Sequence, residues 1–134
     1  MPRRHPIIVL AWKWGPLIFW MALIFFMSDQ STLPGVEDTL LDLLIKKGGH
    51  FMAYAILAGL AWRALAPSPT DNRLLLLVWV IAVLYAASDE VHQLFVPGRH
   101  GSLVDVAIDS AGALLAVILL RKLALHRAGE DSTT

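Results

Sequence analysis

Residues 74–87 carry no charge, and the stretch ends in Ser88-Asp89-Glu90-Val91-His92-Gln93-Leu94-Phe95-Val96-Pro97-Gly98-Arg99. An uncharged run of this length reads as a helix made for apolar surroundings. A membrane accepts ionisable groups beside such a run only when they are paired, wetted or functional. The pattern recurs along the chain. Apolar blocks occupy residues 7–27, 51–66, 74–87 and 103–120, the first interrupted by Lys13. A helix needs about 20 residues to cross a hydrocarbon core about 30 Å thick. The last three blocks reach that length only when polar residues at one end are counted in. The expected spans are then about 8–27, 49–66, 74–92 and 103–120. The expected fold is all-α, an integral membrane four-helix bundle, as one domain over residues 1–134.

Composition agrees with this reading. The chain is 57% hydrophobic with mean hydropathy +0.62, and only 16% charged, against about 25% in soluble domains. A formal net charge of zero argues against a nucleic-acid partner. The absence of cysteine removes disulfide and thiolate chemistry. The N-terminal run lacks a small-residue cleavage site and is read as a retained first helix rather than a secretory signal.

Charge placement orients the bundle. Arg3, Arg4, Lys13, Arg63, Arg73, Arg121, Lys122 and Arg127 fall on one side of a four-span topology, and only Lys46, Lys47 and Arg99 on the other. This bias puts both termini in the cytoplasm. Asp29, Glu37, Asp38, Asp42, Asp89, Glu90, Asp105 and Asp109 lie toward the outside. In the first outer loop Val36, Leu40, Leu43 and Leu44 share one helical face. That spacing predicts a short amphipathic helix, ended by Gly48-Gly49. The five tryptophans read as interfacial anchors or lipid-facing bulk.

Helical rise then places the polar residues at one level. Counting about 1.5 Å per residue from the cytoplasmic ends, Asp29, His50, Asp89 and Asp105 all come out roughly 24–25 Å up. Tyr54 and Asp109 come out slightly deeper, at about 18–20 Å. Lys47, His50 and Tyr54 share one helix face, and Asp105 and Asp109 share another, continued by Gly112 and Ala116. Small residues at 112, 113 and 116 predict a close helix–helix approach. An outward-facing polar pocket follows.

Several chemistries fit these residue types. Asp89, Glu90 and Asp105 suit Mg²⁺ or Ca²⁺, which prefer oxygen ligands, or one of them serves as a general base. Equally, they form a structural network with Lys47 and Arg99. His50 reads as a proton-transfer group and His92 as a hydrogen-bonded helix-end residue. No zinc spacing accompanies them. Lys47 and Arg99 suit an anionic ligand such as a lipid-linked phosphate. Tyr54 and Gln93 read as orienting groups. No phosphate-cradling or dinucleotide fingerprint is present.

The chain resembles the VanZ-like family of small membrane proteins. Four pieces carry the resemblance in order: Met27-Ser28-Asp29-Gln30-Ser31; Lys47-Gly48-Gly49-His50-Phe51-Met52-Ala53-Tyr54; residues 89–99; and Ser102-Leu103-Val104-Asp105 with Asp109 and Gly112. Asp109 departs from an Asn expected there, and the double glycine before His50 is atypical. The resemblance implies a multi-pass protein of the inner or cytoplasmic membrane, in the cell envelope. The family takes its name from a member linked to low-level teicoplanin resistance, and the name supplies no reaction.

The leading expectation is a protein that binds or processes an anionic lipid-linked or glycopeptide-related ligand at its outer face. His50, Asp89, Glu90 and Asp105 are the catalytic candidates. Lys47, Tyr54, Gln93, Arg99 and Asp109 are the ligand-binding candidates. The cofactor is open, with a divalent cation as one candidate, and membrane lipids are the expected partners. The alternative is a non-enzymatic, partner-recruiting module whose polar cluster locks the helices. A transporter is disfavoured because the cytoplasmic half carries almost no intramembrane polar residue.

Overall fold

The computed structural model describes residues 5–30, 39–65 and 71–131. They form four helices: α1 (Pro6–Ser28), α2 (Leu40–Leu65), α3 (Asn72–Gln93) and α4 (Leu103–Asp131). The fold is all-α, with no strand among the described residues. At about 1.5 Å per residue each helix is roughly 33–44 Å long, enough to exceed a hydrocarbon core. Three of them, over Ile7–Ser28, Asn72–Gln93 and Leu103–Arg127, are long and apolar enough to cross a membrane. Their outward faces are greasy: Trp12, Phe19, Phe26, Leu84 and Leu103 are all largely exposed.

Local chemistry explains the ends. Pro6 opens α1, where a missing N–H costs nothing. Asp71 caps α3 by accepting a 2.9 Å hydrogen bond from the Arg73 amide. At the start of α4 the Ser102 hydroxyl accepts from the Val104 amide at 3.2 Å. After α3 the chain tightens through successive three-residue bonds, Phe95 to His92 and Val96 to Gln93. It reverses at Gly98, whose φ of 77° lies in the region that favours glycine.

The α2 helix differs from the expectation at its start. Residues 40–47 are helical, but they are the first turns of one unbroken α2, and Gly48-Gly49 do not end it. Glycine permits a break without imposing one. A Cβ at either position would meet nothing within 4 Å, and the surrounding turns hold the helix at a cost of about 1 kcal/mol per glycine. Leu40, Leu43 and Leu44 lie on its exposed surface. Val36, Glu37 and Asp38 lie outside the described residues.

The core sits where α2 meets α3 and α4. Small side chains dominate it: Ala58, Ala61 and Ala64 of α2, Ala82 and Ala86 of α3, and Ala113 of α4, joined by Tyr54, Leu57 and Val78. Small residues bring helices together by van der Waals packing where no hydrophobic driving force exists. The limit is reached at Gly112. A Cβ there would overlap the Phe51 backbone carbonyl, so α2 and α4 meet backbone to backbone. Lys47 pairs with Asp105, His50 faces Asp109 and Phe51 abuts Gly112. Both numberings rise together, so α2 and α4 run parallel. Two tryptophans expected as interfacial anchors or lipid-facing bulk tie helices together: Trp20 Nε1 donates to the Ala53 carbonyl at 2.9 Å and Trp79 Nε1 to the Ser110 carbonyl at 3.1 Å.

Candidate functional site

The polar residues sort into two neighbouring groups. The first is a buried network joining the ends of α1 and α3. Ser28 Oγ donates to Asp89 Oδ2 at 2.8 Å and accepts from Gln93 Nε2 at 2.7 Å. All three side chains are buried. Glu90 Oε2 accepts from the Ser102 amide at 2.7 Å, tying α3 to the start of α4. Close by, Gly101 fits because a Cβ would stand 2.6 Å from the Glu90 carbonyl. Outside this network His92 stacks on Phe25 and meets Asp29 Oδ1 at 3.2 Å. Asp29, expected at the polar level, is thus an exposed partner, while its neighbour Ser28 turns inward.

The second group lines a groove of about 440 Å³ between α1 and α2, a volume in the range of small-ligand sites. Trp20, Leu23, Ile24, Met27, Ile45 and Ala53 form apolar walls. Gln30, Lys46, His50 and Arg99 supply the polar lining among the described residues. Trp20 and Ala53, joined by the hydrogen bond described above, both line the groove. Lys46 and His50 are one helical turn apart on α2, so the lysine stands about 6 Å nearer the mouth. Arg99 crosses from the α3–α4 loop. It donates to the Gln30 carbonyl at 3.0 Å and the Met27 carbonyl at 3.4 Å, satisfying the carbonyls at the end of α1.

His50 links the two groups. Its ring lines the groove, and its Nδ1 lies 3.6 Å from Oδ2 of the fully buried Asp109, just beyond hydrogen-bond range. Nε2 has no hydrogen-bond partner among the described residues. Behind it, buried oxygens are left without hydrogen-bond partners: the Tyr54 hydroxyl, Asp89 Oδ1, Glu90 Oε1 and both Asp109 oxygens. Such groups are rare in folded proteins, and each calls for an explanation.

Of the residues singled out in the sequence, Asp89, Glu90 and Gln93 belong to the buried network. Lys47 and Asp105 pair with each other at the side of α2 away from the groove. Tyr54 is wholly buried behind His50. Arg99 and His50 line the groove. Among the described residues no three His, Asp or Glu side chains are grouped so as to hold a metal ion. Lys46, Ser28 and Trp20 were missed. Lys46 had one signal, its place one turn from His50 on a helix now known to be continuous.

A family model, VanZ/LLP1, matches residues 13–125. The chain belongs to the VanZ/LLP1 family. The match spans the lining residues of the groove and the residues of the buried network. Searches of the curated proteins and of the solved structures found no match.

Proposed function

We propose that this VanZ/LLP1 protein binds a membrane lipid with an anionic, phosphate-bearing head in the α1–α2 groove, at the outer face of the cytoplasmic membrane. One observation carries the reading: the groove has apolar walls, and the Lys and Arg side chains among its described lining residues are Lys46 and Arg99. The buried carboxylates of the described residues, Asp89, Glu90 and Asp109, are not among its lining residues. An acyl or prenyl chain suits the walls. Phosphate suits the mouth, with Arg as a planar donor fork and Lys as a point charge. In this reading all four helices span, both termini are cytoplasmic, and α2 crosses with Lys46 and Lys47 at its outer end and Arg63 at its inner end. A lipid-linked envelope precursor is the ligand class that joins the groove to the family's association with teicoplanin.

The Ser28–Asp89–Gln93 bonds favour a second reading, a non-enzymatic module locked by its polar core. Native mass spectrometry from mild detergent separates the two. Wild type is expected to retain a phosphate-containing lipid. Lys46→Glu and Arg99→Gln are expected to lose it by at least about tenfold, or 1.4 kcal/mol. Asp89→Asn is expected to keep the lipid and lose stability. Bare wild-type protein, or equal retention by the two groove variants, would overturn the binding reading in favour of the lock.

A further inference from the structure

We infer that His50 is a proton-operated ligand of the lipid head: an anionic phosphate bound at its Nε2 draws one proton into the His50–Asp109 pair, so the groove holds its lipid more tightly as pH falls. The inference deepens the binding reading above and rests on it. Two observations on this pair carry it.

The first is which way the ring is turned. His50 lines the groove, its Nδ1 faces Oδ2 of Asp109 at 3.6 Å, and its Nε2 has no hydrogen-bond partner among the described residues. A carboxylate beside one ring nitrogen selects the tautomer. The neutral ring therefore carries its proton on Nδ1 and a lone pair on Nε2. That lone pair opposes a phosphate oxygen. Protonation turns the same nitrogen into an N–H donor and adds a positive charge, which makes a charge-assisted hydrogen bond to phosphate available.

The second is how that charge is supported. Asp109 is fully buried, and neither of its oxygens has a hydrogen-bond partner among the described residues. Its charge stands uncompensated until the ring in front of it becomes a cation. The two groups share their protons as one unit.

Other charged and titratable groups surround the pair. From α4, Asp105 is paired with Lys47 of α2. From α3, the charges of Asp89 and Glu90 reach His50, and each has one oxygen held elsewhere, by the Ser28 hydroxyl and the Ser102 amide. On α2 itself Lys46 stands one turn before His50 and Tyr54 one turn after it. Arg99 of the α3–α4 loop donates to the Gln30 and Met27 carbonyls. From α1, Trp20, Leu23, Ile24 and Met27 line the groove, and none of them titrates. Histidine is the residue type in this set whose ordinary titration falls at about pH 5–8. A bound anion favours the imidazolium, so the complex holds more protons than the free protein and affinity falls as pH rises. One proton sets a ceiling of about tenfold per pH unit.

The test uses the full chain in dodecyl maltoside micelles with dioleoyl phosphatidylglycerol as probe. Its phosphodiester head lacks the second ionisation that a phosphate monoester has near pH ~6, so the charge of the ligand stays constant. Wild-type Kd is expected to rise at least about tenfold from pH ~6 to pH ~8. Calorimetry in two buffers of different ionisation enthalpy is expected to show proton uptake on binding. His50→Gln is expected to bind with a Kd that changes less than about twofold over the same range, and to take up no proton. His50→Asn serves the same purpose if the glutamine variant does not fold. Asp109→Asn is expected to reduce the proton uptake. His92→Gln, which removes the histidine stacked on Phe25, is expected to keep the wild-type slope. Glycerophosphoglycerol, the same head without chains, is expected to bind at least about tenfold more weakly. Tight wild-type binding with a level or opposite pH dependence overturns the proton link and leaves the binding reading standing. A wild-type slope in His50→Gln assigns the proton to another group and overturns the inference. Equal binding of the chain-free head overturns the lipid reading, and no binding of either compound overturns both.

Discussion

Ser28 is a single hydroxyl that serves two buried partners, donating to Asp89 and accepting from Gln93. Removing it leaves both one hydrogen bond short in a buried place. Ser28→Ala is expected to cost about 1 kcal/mol, the scale of hydrogen bonds between membrane helices, measured by reversible unfolding in mixed micelles. The Lys47–Asp105 pair behaves differently, because each side chain is about a third exposed, at 33% and 29%. A double-mutant cycle with Lys47→Ala and Asp105→Ala is expected to give a coupling of about 0.5 kcal/mol, falling as salt rises. A coupling above 2 kcal/mol would show the pair to be far more desolvated than its exposure indicates. Residue identity made both groups visible in the sequence as polar, but not their partners. Ser28 and Asp29 are adjacent and equally polar, and only the rotation of α1 decides which of them faces Asp89.

At the scale of elements, the glycines separate into two kinds. Gly112 of α4 touches the α2 backbone at Phe51, so a methyl group cannot be absorbed by a side-chain rotation. Gly112→Ala is expected to push the helices apart at a cost of about 2–3 kcal/mol. Gly48 and Gly49 have open space around them inside an unbroken helix. Gly48→Ala and Gly49→Ala are each expected to stabilise by about 0.5–1 kcal/mol, because alanine loses less backbone freedom. Opposite signs in one unfolding assay check the distinction, and a destabilising Gly49→Ala would argue for a hinge at that point. The spacing of Gly112, Ala113 and Ala116 announced a close approach, but not the partner. The complementary stripes, Lys47 and His50 against Asp105 and Asp109, held that information only in combination. Charge complementarity does not by itself say that this face of α4 meets α2 rather than α3, on which α4 also packs.

For the whole molecule, the proposed topology is directly testable because the chain has no cysteine. His100→Cys, in the α3–α4 loop, is expected to react with an impermeant maleimide applied from outside. His126→Cys, near the end of α4, is expected to react only after the membrane is opened. The reverse result would invert the bundle and move the groove to the cytoplasmic leaflet. What the sequence determined alone is the all-α architecture and the gathering of polar groups toward one end. Both follow from local rules: apolar runs of helical length, and a constant rise per residue that converts spacing into depth. What only the tertiary structure decided is how those groups divide, with Lys46 rather than Lys47 on the groove, Ser28 inside, and Asp109 behind His50. That division depends on the rotation and neighbour of each helix. Both are set by long-range packing, above all the backbone contact of Gly112 with Phe51, and helical periodicity carries no record of it.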